Sequence, residues 1–303
     1  MRDLGELTWF LGIRIIRDRA QRKIWLCQDA YIEKITKSFH LENVRLAYTP
    51  LPTKELTAGI ENPSPQDIYA YQRKVGSILY AATMTRPDVA CMAGKLSEFL
   101  QNSSPQHQGI ANRAITYLYG THYYAIEFSP TIMDKQVFTC MSDAAFADDP
   151  ATWHSTEGYL FQLFGGPIDW KSTKQKTVTT SSTEAELLAL SHAAKEVLWW
   201  KRFFPAINFD PDHNMDIACD NQQMIRLLTK SPSVLNTKLR HIDVHRHWLR
   251  QEIKAGNVQL CWIGTADMPA DGLTKGLPRQ RHEAFVSLIG LVDIRDKLEK
   301  KET

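Results

Sequence analysis

Four carboxylates in the second half of the chain lie where predicted strands and helices begin or end. Asp143 follows an apolar, strand-like stretch, and Glu186 lies in the first turn of a long predicted helix. Asp220 ends a short predicted strand, and Asp271 opens a further helical segment. Residues at such positions collect at one edge of an α/β sheet, where ligands bind. The sequence therefore predicts that these four side chains meet in the folded protein.

Clustered carboxylates repel one another unless cations lie between them. Oxygen ligands select hard ions, so Mg²⁺ is the expected metal and Mn²⁺ a possible substitute. Two such ions can hold the attacking water and the leaving oxygen of a phosphodiester. The pattern thus indicates metal-dependent phosphodiester hydrolysis.

The spacing of these acids also fits structural roles, because an Asp after a strand is commonly a turn residue or a helix cap. The segment "SSTEAELLAL" offers two glutamates, and both Ser181-x-x-Glu184 and Thr183-x-x-Glu186 fit a capping box. On a helical wheel Glu186 lies about 60° from the centre of the apolar stripe and Glu184 about 100°. Glu186 is favoured as the ligand, and Glu184 stays the alternative.

Composition sets broad limits on the class of protein. The chain has 303 residues, which suggests about two domains, and a net charge of +2, which gives no bulk signal for nucleic acid. Its five cysteines are scattered and odd in number, as expected in a reducing compartment. No apolar run reaches the roughly 18 residues of a membrane span, and the first residues lack a secretion signal. We expect an intracellular protein of the cytoplasm or nucleus, not a secreted one.

The elements that must position the acids follow from hydrophobic periodicity. A hairpin and a helix are predicted in the first 40 residues, a loop at 49–65, and three helices within a stretch, 69–128, that we expect to be helical. From residue 136 the order β-β-β-α-β-α-α-β-α predicts one mixed-sheet α/β domain. Its last helix begins within "MPADGLTKGL", and the charged tail follows residue 292.

An ordered run of motifs resembles the ribonuclease H domain of copia-type LTR retrotransposon Pol polyproteins. These motifs are "SDAAFADDP", "STEGYLFQLFGGPIDWKS", "SSTEAELLAL", "ACDNQQMIRLL", "KLRHIDVHRHWLRQ" and "MPADGLTKGL". Upstream, "MRDLGELTWFLGIRI" and "VGSILYAATMTRPDVACMAGKLSEFL" are similar to the end of the reverse transcriptase and the segment that joins it to ribonuclease H.

The resemblance implies a ribonuclease H-like mixed five-stranded sheet with flanking helices, preceded by a partial α+β reverse-transcriptase segment and a helical connection. The expected boundaries are 1–60 for the reverse-transcriptase part, 61–132 for the connection, 133–292 for the ribonuclease H-like domain and 293–303 for the tail. The resemblance also implies cleavage of the RNA strand of RNA–DNA hybrids with two Mg²⁺ ions, and the remainder of the Pol polyprotein as a partner.

Carried over by motif, the family's catalytic and metal-binding acids fall on Asp143, Glu186, Asp220 and Asp271. Asp143 would bridge both ions, with Glu186 and Asp220 on one and Asp271 on the other. Two departures are Ala145 and Phe146, where the family usually has Asp and Trp, and the loop "WIGTADMPADG", which lacks the His of bacterial-type ribonucleases H.

Side chains near the acids are candidates for holding the substrate. Lys174 and Lys176 precede the acid-bearing helix and could bind phosphates, although a solvated hairpin explains them equally well. Asn221 and Gln222 follow Asp220 and are candidate minor-groove contacts. In "HIDVHRH", His241 and His245 at i, i+4 could hold zinc, but a solvated or substrate-facing basic helix is favoured.

The pair Asp148–Asp149 stands in the frame Phe-x-Asp-Asp, which many reverse transcriptases use for metal binding. Here Pro150 and a polar loop follow, whereas a polymerase turn needs apolar strands on both sides. The family's own turn belongs upstream of "DLGELTWFLG", so we expect no DNA synthesis by this chain alone. A catalytically silent retrotransposon remnant that only binds nucleic acid or a protein partner is the alternative function, and a polymerase subunit completed by a second chain is a third.

Overall fold

The computed structural model describes residues 5–52, 56, 63–130, 137–211, 215–229 and 240–299. The chain forms two compact units. The first comprises Met1–Thr131 together with Gly276–Thr303, and the second comprises Ile132–Lys275. Within the described residues no helix is both long enough and apolar enough to cross a membrane. All five cysteines are free thiols, so disulfides contribute nothing to the fold.

A five-stranded antiparallel sheet forms one layer of the first unit. Its order is β1-β2-β3-β4-β10, with β1 at Trp9–Phe10, β2 at Ile13–Asp18, β3 at Lys23–Cys27, β4 at Tyr124–Phe128 and β10 at Leu291–Asp293. The predicted hairpin is the β2–β3 pair, in which Ile16 faces Trp25. Both side chains are buried in a small core beneath this sheet.

The described helices of the first unit are α1 at Asp29–Ser38, α2 at Pro65–Met84, α3 at Ala90–Ser97, α4 at Pro105–Gly120, α9 at Arg279–Leu288 and α10 at Arg295–Glu299. The first four of them pack around an apolar core of their own. Helix α2 begins at Pro65, the last residue of the predicted loop, and α4 begins at Pro105. Ser64 and Ser104 accept backbone N–H bonds at the N-caps, and a proline occupies the first helical position of each.

One expectation for this unit is wrong. The end of the stretch expected to be helical, 124–128, is strand β4, which lies between β3 and β10. Residues 5–52 and 63–130 lie in one compact unit. The described residues after 275 lie in the same unit, where β10 pairs with β4 and His282 on α9 bonds to the Tyr117 hydroxyl at 2.8 Å.

The second unit contains the mixed five-stranded sheet of a ribonuclease H-like fold, as the resemblance implies. Its order is β7-β6-β5-β8-β9, with β5 at Phe138–Ala145, β6 at Thr156–Leu163, β7 at Gly166–Lys174, β8 at Asp216–Cys219 and β9 at Gln259–Trp262. The first three strands pair antiparallel, whereas β8 runs parallel to β5 and to β9. The turn between β6 and β7 is centred on Phe164 and Gly165, both with positive φ.

In the described part of this unit four helices accompany the sheet: α5 at Ser182–Ala206, α6 at Gln222–Thr229, α7 at Arg240–Lys254 and α8 at Asp271–Thr274. The core lies mainly between the sheet and α5, where Phe138 and Phe161 meet Phe204 and other apolar side chains. The last predicted helix is shorter than expected. Helix α8 is a single turn, and α9 belongs to the first unit.

Candidate active site

A glycine opposite Asp143 brings the last acid-bearing element close to the sheet. Asp143 lies on the central strand β5, and its antiparallel partner on β6 is Gly158. A Cβ at position 158 would lie 2.8 Å from the Cβ of Leu273, which is too close for two carbon atoms. The missing side chain therefore lets α8 pack against β5 and β6, and this packing carries Asp271 to the edge where Asp143 lies.

The carboxyl group of Asp143 is buried, with 5% of the residue exposed. Its Oδ2 accepts a hydrogen bond of 2.6 Å from the Thr274 hydroxyl on α8. Burial raises the pKa of Asp143 to about 6, and the negative charges of Asp271 and Asp220 add to the rise. Thr274 and the Lys275 ammonium oppose it. The charges of two other predicted acids therefore act on the carboxyl group of Asp143.

Glu186 enters the same cluster from the first turns of α5. It is buried, and burial raises its pKa to about 9 with further contributions from Asp143 and Asp220. The thiol of Cys219 lies 3.9 Å from its Oε2. One ligand atom each from Glu186, Cys219 and Asp220 can be chosen so that all three lie within 4.8 Å of one another. A bound cation would stabilise the charged form of this carboxyl group.

The helix cap gives the two glutamates of "STEAELLAL" different surroundings. Ser181 is the N-cap of α5, and its hydroxyl accepts the N–H of Glu184. The carboxylate of Glu184 turns back to accept bonds from the N–H and hydroxyl of Thr180, at 2.7 and 2.8 Å. Glu184 is therefore a capping residue, while Glu186 points toward Asp143 and Asp220.

The two remaining acids are held by neighbours at the end of β9 and in the segments that follow it. The Thr265 hydroxyl donates to Asp220 Oδ2 at 2.9 Å, and the Trp262 indole N–H donates to the Asp220 carbonyl at 3.2 Å. The carboxylate of Asp271, which is buried, forms an ion pair with the Lys275 ammonium one turn along the chain. The four predicted acids come from separate parts of the second unit, and Asp143 interacts electrostatically with each of the other three. Among the described residues, the group of potential ligand atoms within 4.8 Å of one another contains Glu186, Cys219 and Asp220 but neither Asp143 nor Asp271.

This cluster fits divalent metal ions. Its donor atoms are carboxylate oxygens, the preferred ligands of Mg²⁺ and Mn²⁺. Burial raises the pKa values of Asp143 and Glu186, and the charges of neighbouring acids add to the rise. Bound cations would offset that repulsion. The single thiol, Cys219, is the one soft neighbour that the described residues place in this group.

The Phe-x-Asp-Asp pair serves the local structure of the β5–β6 loop. Asp148 accepts the N–H and the hydroxyl of Thr156 at 2.7 and 2.9 Å. Asp149 accepts the Ala151 N–H and forms an ion pair of 2.5 Å with Lys174. Both carboxylates are occupied by these contacts, in keeping with a turn rather than a polymerase centre.

The candidate substrate-binding and zinc-binding residues differ in their exposure and in their contacts. Lys174 is bound to Asp149, whereas Lys176 and Gln222 are exposed. Asn221 caps α6 by accepting the Met224 N–H at 3.0 Å. For the zinc hypothesis, the side chain of His241 lies outside the described residues, and His245 Nδ1 lies 2.7 Å from the Ser191 hydroxyl.

Among the described residues, four side chains that the sequence did not single out contact the carboxyl groups of the acids: Cys219, Thr265, Thr274 and Lys275. The lysine is one helical turn from Asp271, so an i, i+4 search would have found that pair. Nothing in the spacing could have revealed the Thr274 bond, because it joins residues 131 positions apart.

No family model matches the chain. The retrovirus-related Pol polyprotein of transposon TNT 1-94 from Nicotiana tabacum is 34% identical over 297 residues, covering 96% of this chain and 22% of that protein. The corresponding polyprotein of transposon RE1 from Arabidopsis thaliana is 30% identical, covering 97% of this chain and 20% of that protein. The chain therefore spans about a fifth of the length of these two curated relatives.

Among solved structures, a foamy viral protease-reverse transcriptase in complex with RNA/DNA hybrid is similar over 86% of this chain and 29% of that chain, with 13% identity and a TM-score of 0.44. The matches to the transposon polyproteins extend over nearly the whole chain. The chain belongs to the Pol polyproteins of copia-type retrotransposons.

Proposed function

We propose that the second unit is a metal-dependent ribonuclease that hydrolyses the RNA strand of RNA–DNA hybrids, as part of a retrotransposon reverse-transcription polyprotein. The observation that carries this proposal is the electrostatic interaction of Asp143 with Glu186, Asp220 and Asp271, which come from three other parts of the unit. A fold gains no stability from gathering buried acids, because each charge raises the cost of the next. Their arrangement is best explained by a task that requires cations.

The four acids would hold the metal ions. When bound, Mg²⁺ ions supply Lewis-acid stabilisation of the phosphate and a water of lowered pKa. The protein contributes the positions of the ligands. Thr274 and Thr265 donate hydroxyl hydrogen bonds to Asp143 and Asp220, which fix the orientation of these carboxylates. In the proposed reaction water attacks the phosphorus and the 3′ oxygen leaves, giving a 5′-phosphate and a 3′-hydroxyl.

Substrate contacts are proposed at the exposed polar side chains near the acids. Lys176 and Gln222 are accessible, and Asn221 follows Asp220 directly. Lys174 could reach a phosphate only if its ion pair with Asp149 opened. A hybrid duplex is read mainly by its shape and its 2′-hydroxyl groups, so little sequence preference is expected. Binding through lysines should weaken as salt is added.

A cleavage assay with a matched pair of variants tests the proposal. The purified chain is incubated with Mg²⁺ and a hybrid that carries a labelled RNA strand. Asp143→Asn and Glu186→Gln should each lower the rate by more than about 100-fold, because removing even an outer partner of a metal ligand costs about 10–100-fold. Glu184→Gln is the control, since that glutamate only caps α5. It should retain cleavage.

The same assay decides between this proposal and a silent binding module. Hybrid that is bound tightly but not cleaved, with Mg²⁺ or Mn²⁺ present, would refute the ribonuclease and support the module. Equal losses in Glu184→Gln and Glu186→Gln would show that the helix, rather than the metal ligand, was damaged.

A further inference from the structure

The ammonium group of Lys275 lies beside the candidate metal site. Lys275 is the first residue after α8, and its Nζ forms an ion pair with Asp271 Oδ1. It also lowers the pKa of both Asp143 and Glu186. One positive charge therefore acts on three of the four acids that would hold metal.

The two ends of this ion pair have different surroundings. The Asp271 side chain is only 5% exposed, whereas the Lys275 side chain is 50% exposed. The lysine can therefore leave the carboxylate and be solvated without opening the fold, because its long stem already reaches water. The buried carboxylate of Asp271 cannot reach water in this way.

A permanent structural ion pair in this protein looks different. Arg86 and Asp88 in the first unit are both fully buried, and the guanidinium contacts both carboxylate oxygens at 2.6 and 2.8 Å. The Tyr117 hydroxyl also donates to Asp88. Such a pair cannot separate without leaving an uncompensated buried charge. By comparison, Lys275 can separate from Asp271 without leaving its own charge buried.

We propose that Lys275 is a resident counter-ion, which holds the acids together before metal binds and is displaced from Asp271 when a divalent ion binds there. This inference rests on the proposed function, because it assumes that Asp271 is a metal ligand. Lys275 would then be a positioning residue that acts through the acids.

The proposal predicts opposite effects on the metal-free protein and on metal affinity. Without the lysine charge, repulsion among Asp143, Glu186 and Asp271 is less compensated, so the metal-free protein loses stability. The divalent ion no longer has to displace a competing cation, so it binds more tightly. A lysine that merely supported the structure would not change metal affinity in this direction.

Calorimetric titration with Mn²⁺ alone tests the idea without relying on activity. Lys275→Met and Lys275→Gln should each bind Mn²⁺ about tenfold more tightly than the natural chain, a modest factor because the lysine is half exposed. Both should melt at a lower temperature in EDTA. Lys275→Arg keeps the charge and should restore both values toward those of the natural chain.

Lys174→Met is the matched control. It also removes a lysine that forms an ion pair with an aspartate of the same unit, but that aspartate is Asp149. This variant should leave Mn²⁺ affinity unchanged. A similar gain in Lys174→Met would mean that overall charge, and not displacement of Lys275, sets the affinity.

The outcomes separate this inference from the proposed function. Unchanged or weaker Mn²⁺ binding in Lys275→Met and Lys275→Gln would overturn the counter-ion role, even if the natural chain cleaves hybrid and Asp143→Asn does not. If the natural chain binds no Mn²⁺ and cleaves no hybrid, the proposed function and this inference both fail.

Discussion

Replacing Asp143 with asparagine should stabilise the metal-free protein while removing its response to Mg²⁺. The carboxyl group is buried between other acids, and its pKa is raised from an ordinary 3.8 to about 6. Its charged form is therefore disfavoured in the fold. Asparagine is close in size and neutral, and its side-chain oxygen can still accept the Thr274 hydrogen bond.

The magnitude follows from the pKa difference. A rise from 3.8 to about 6 corresponds to about 3 kcal/mol of unfolding free energy. Because the folded pKa is raised, this stability is present below about pH 4 and is lost as the pH rises through about 6. Asparagine does not titrate. The unfolding free energy of the variant should therefore equal that of the natural chain near pH 4 and exceed it by up to about 3 kcal/mol at pH 8.

Scanning calorimetry in EDTA measures this difference. At pH 8 the transition of the second unit should rise by roughly 9 °C, at about 3 °C for each kcal/mol in a domain of this size. Asp149→Asn is a control of opposite sign, because bonds to Lys174 and its neighbours lower the pKa of Asp149 to about 2. That variant should lose stability at pH 8. An Asp143→Asn protein that melts at or below the natural temperature at pH 8 would refute the electrostatic reasoning.

The remaining predictions concern the residues around Asp143. Thr274→Val removes a hydrogen bond to a buried carboxylate and should cost about 1.5–3 kcal/mol of unfolding free energy when Asp143 is ionised. It should also raise the pKa of Asp143 above about 6. Because metal binds the ionised carboxylate, Mn²⁺ affinity measured as the pH is lowered from 8 to 5.5 should begin to fall at a higher pH than in the natural chain. Gly158→Ala brings a methyl group to 2.8 Å from Leu273 and should cost about 1–3 kcal/mol and weaken Mn²⁺ binding, because α8 must move. Gly109→Ala, in a helix with nothing within 4 Å of the added carbon, should instead stabilise the protein by about 0.5–1 kcal/mol in denaturant titration.

The position of the acids could be predicted because strand ends and helix starts meet at one sheet edge. Asp143 and Asp220 follow apolar stretches that do form the neighbouring parallel strands β5 and β8. The angle of Glu186 from the apolar stripe of α5 favoured it over Glu184, and the structure gives Glu184 the capping role. These inferences needed only local periodicity and side-chain direction.

What could not be predicted depends on contacts between distant parts of the chain. Strand β4 follows α4 almost directly, so nothing local marks the change from helix to strand. Its partners, β3 and β10, lie far away in sequence. The pairing of β10 with β4, which places the residues after 275 in the first unit, also joins distant parts of the chain. Local propensity cannot identify strands whose stability comes from such pairing.

The claim on which the account depends is that Asp143, Glu186, Asp220 and Asp271 hold divalent metal. Its most direct test is the anomalous diffraction of crystals soaked in Mn²⁺, which locates the metal without reference to activity. We predict manganese in contact with carboxylate oxygens of these four residues, and its loss from crystals of Asp143→Asn. Manganese bound elsewhere, or an empty cluster in crystals of a protein that still cleaves hybrid, would contradict the claim.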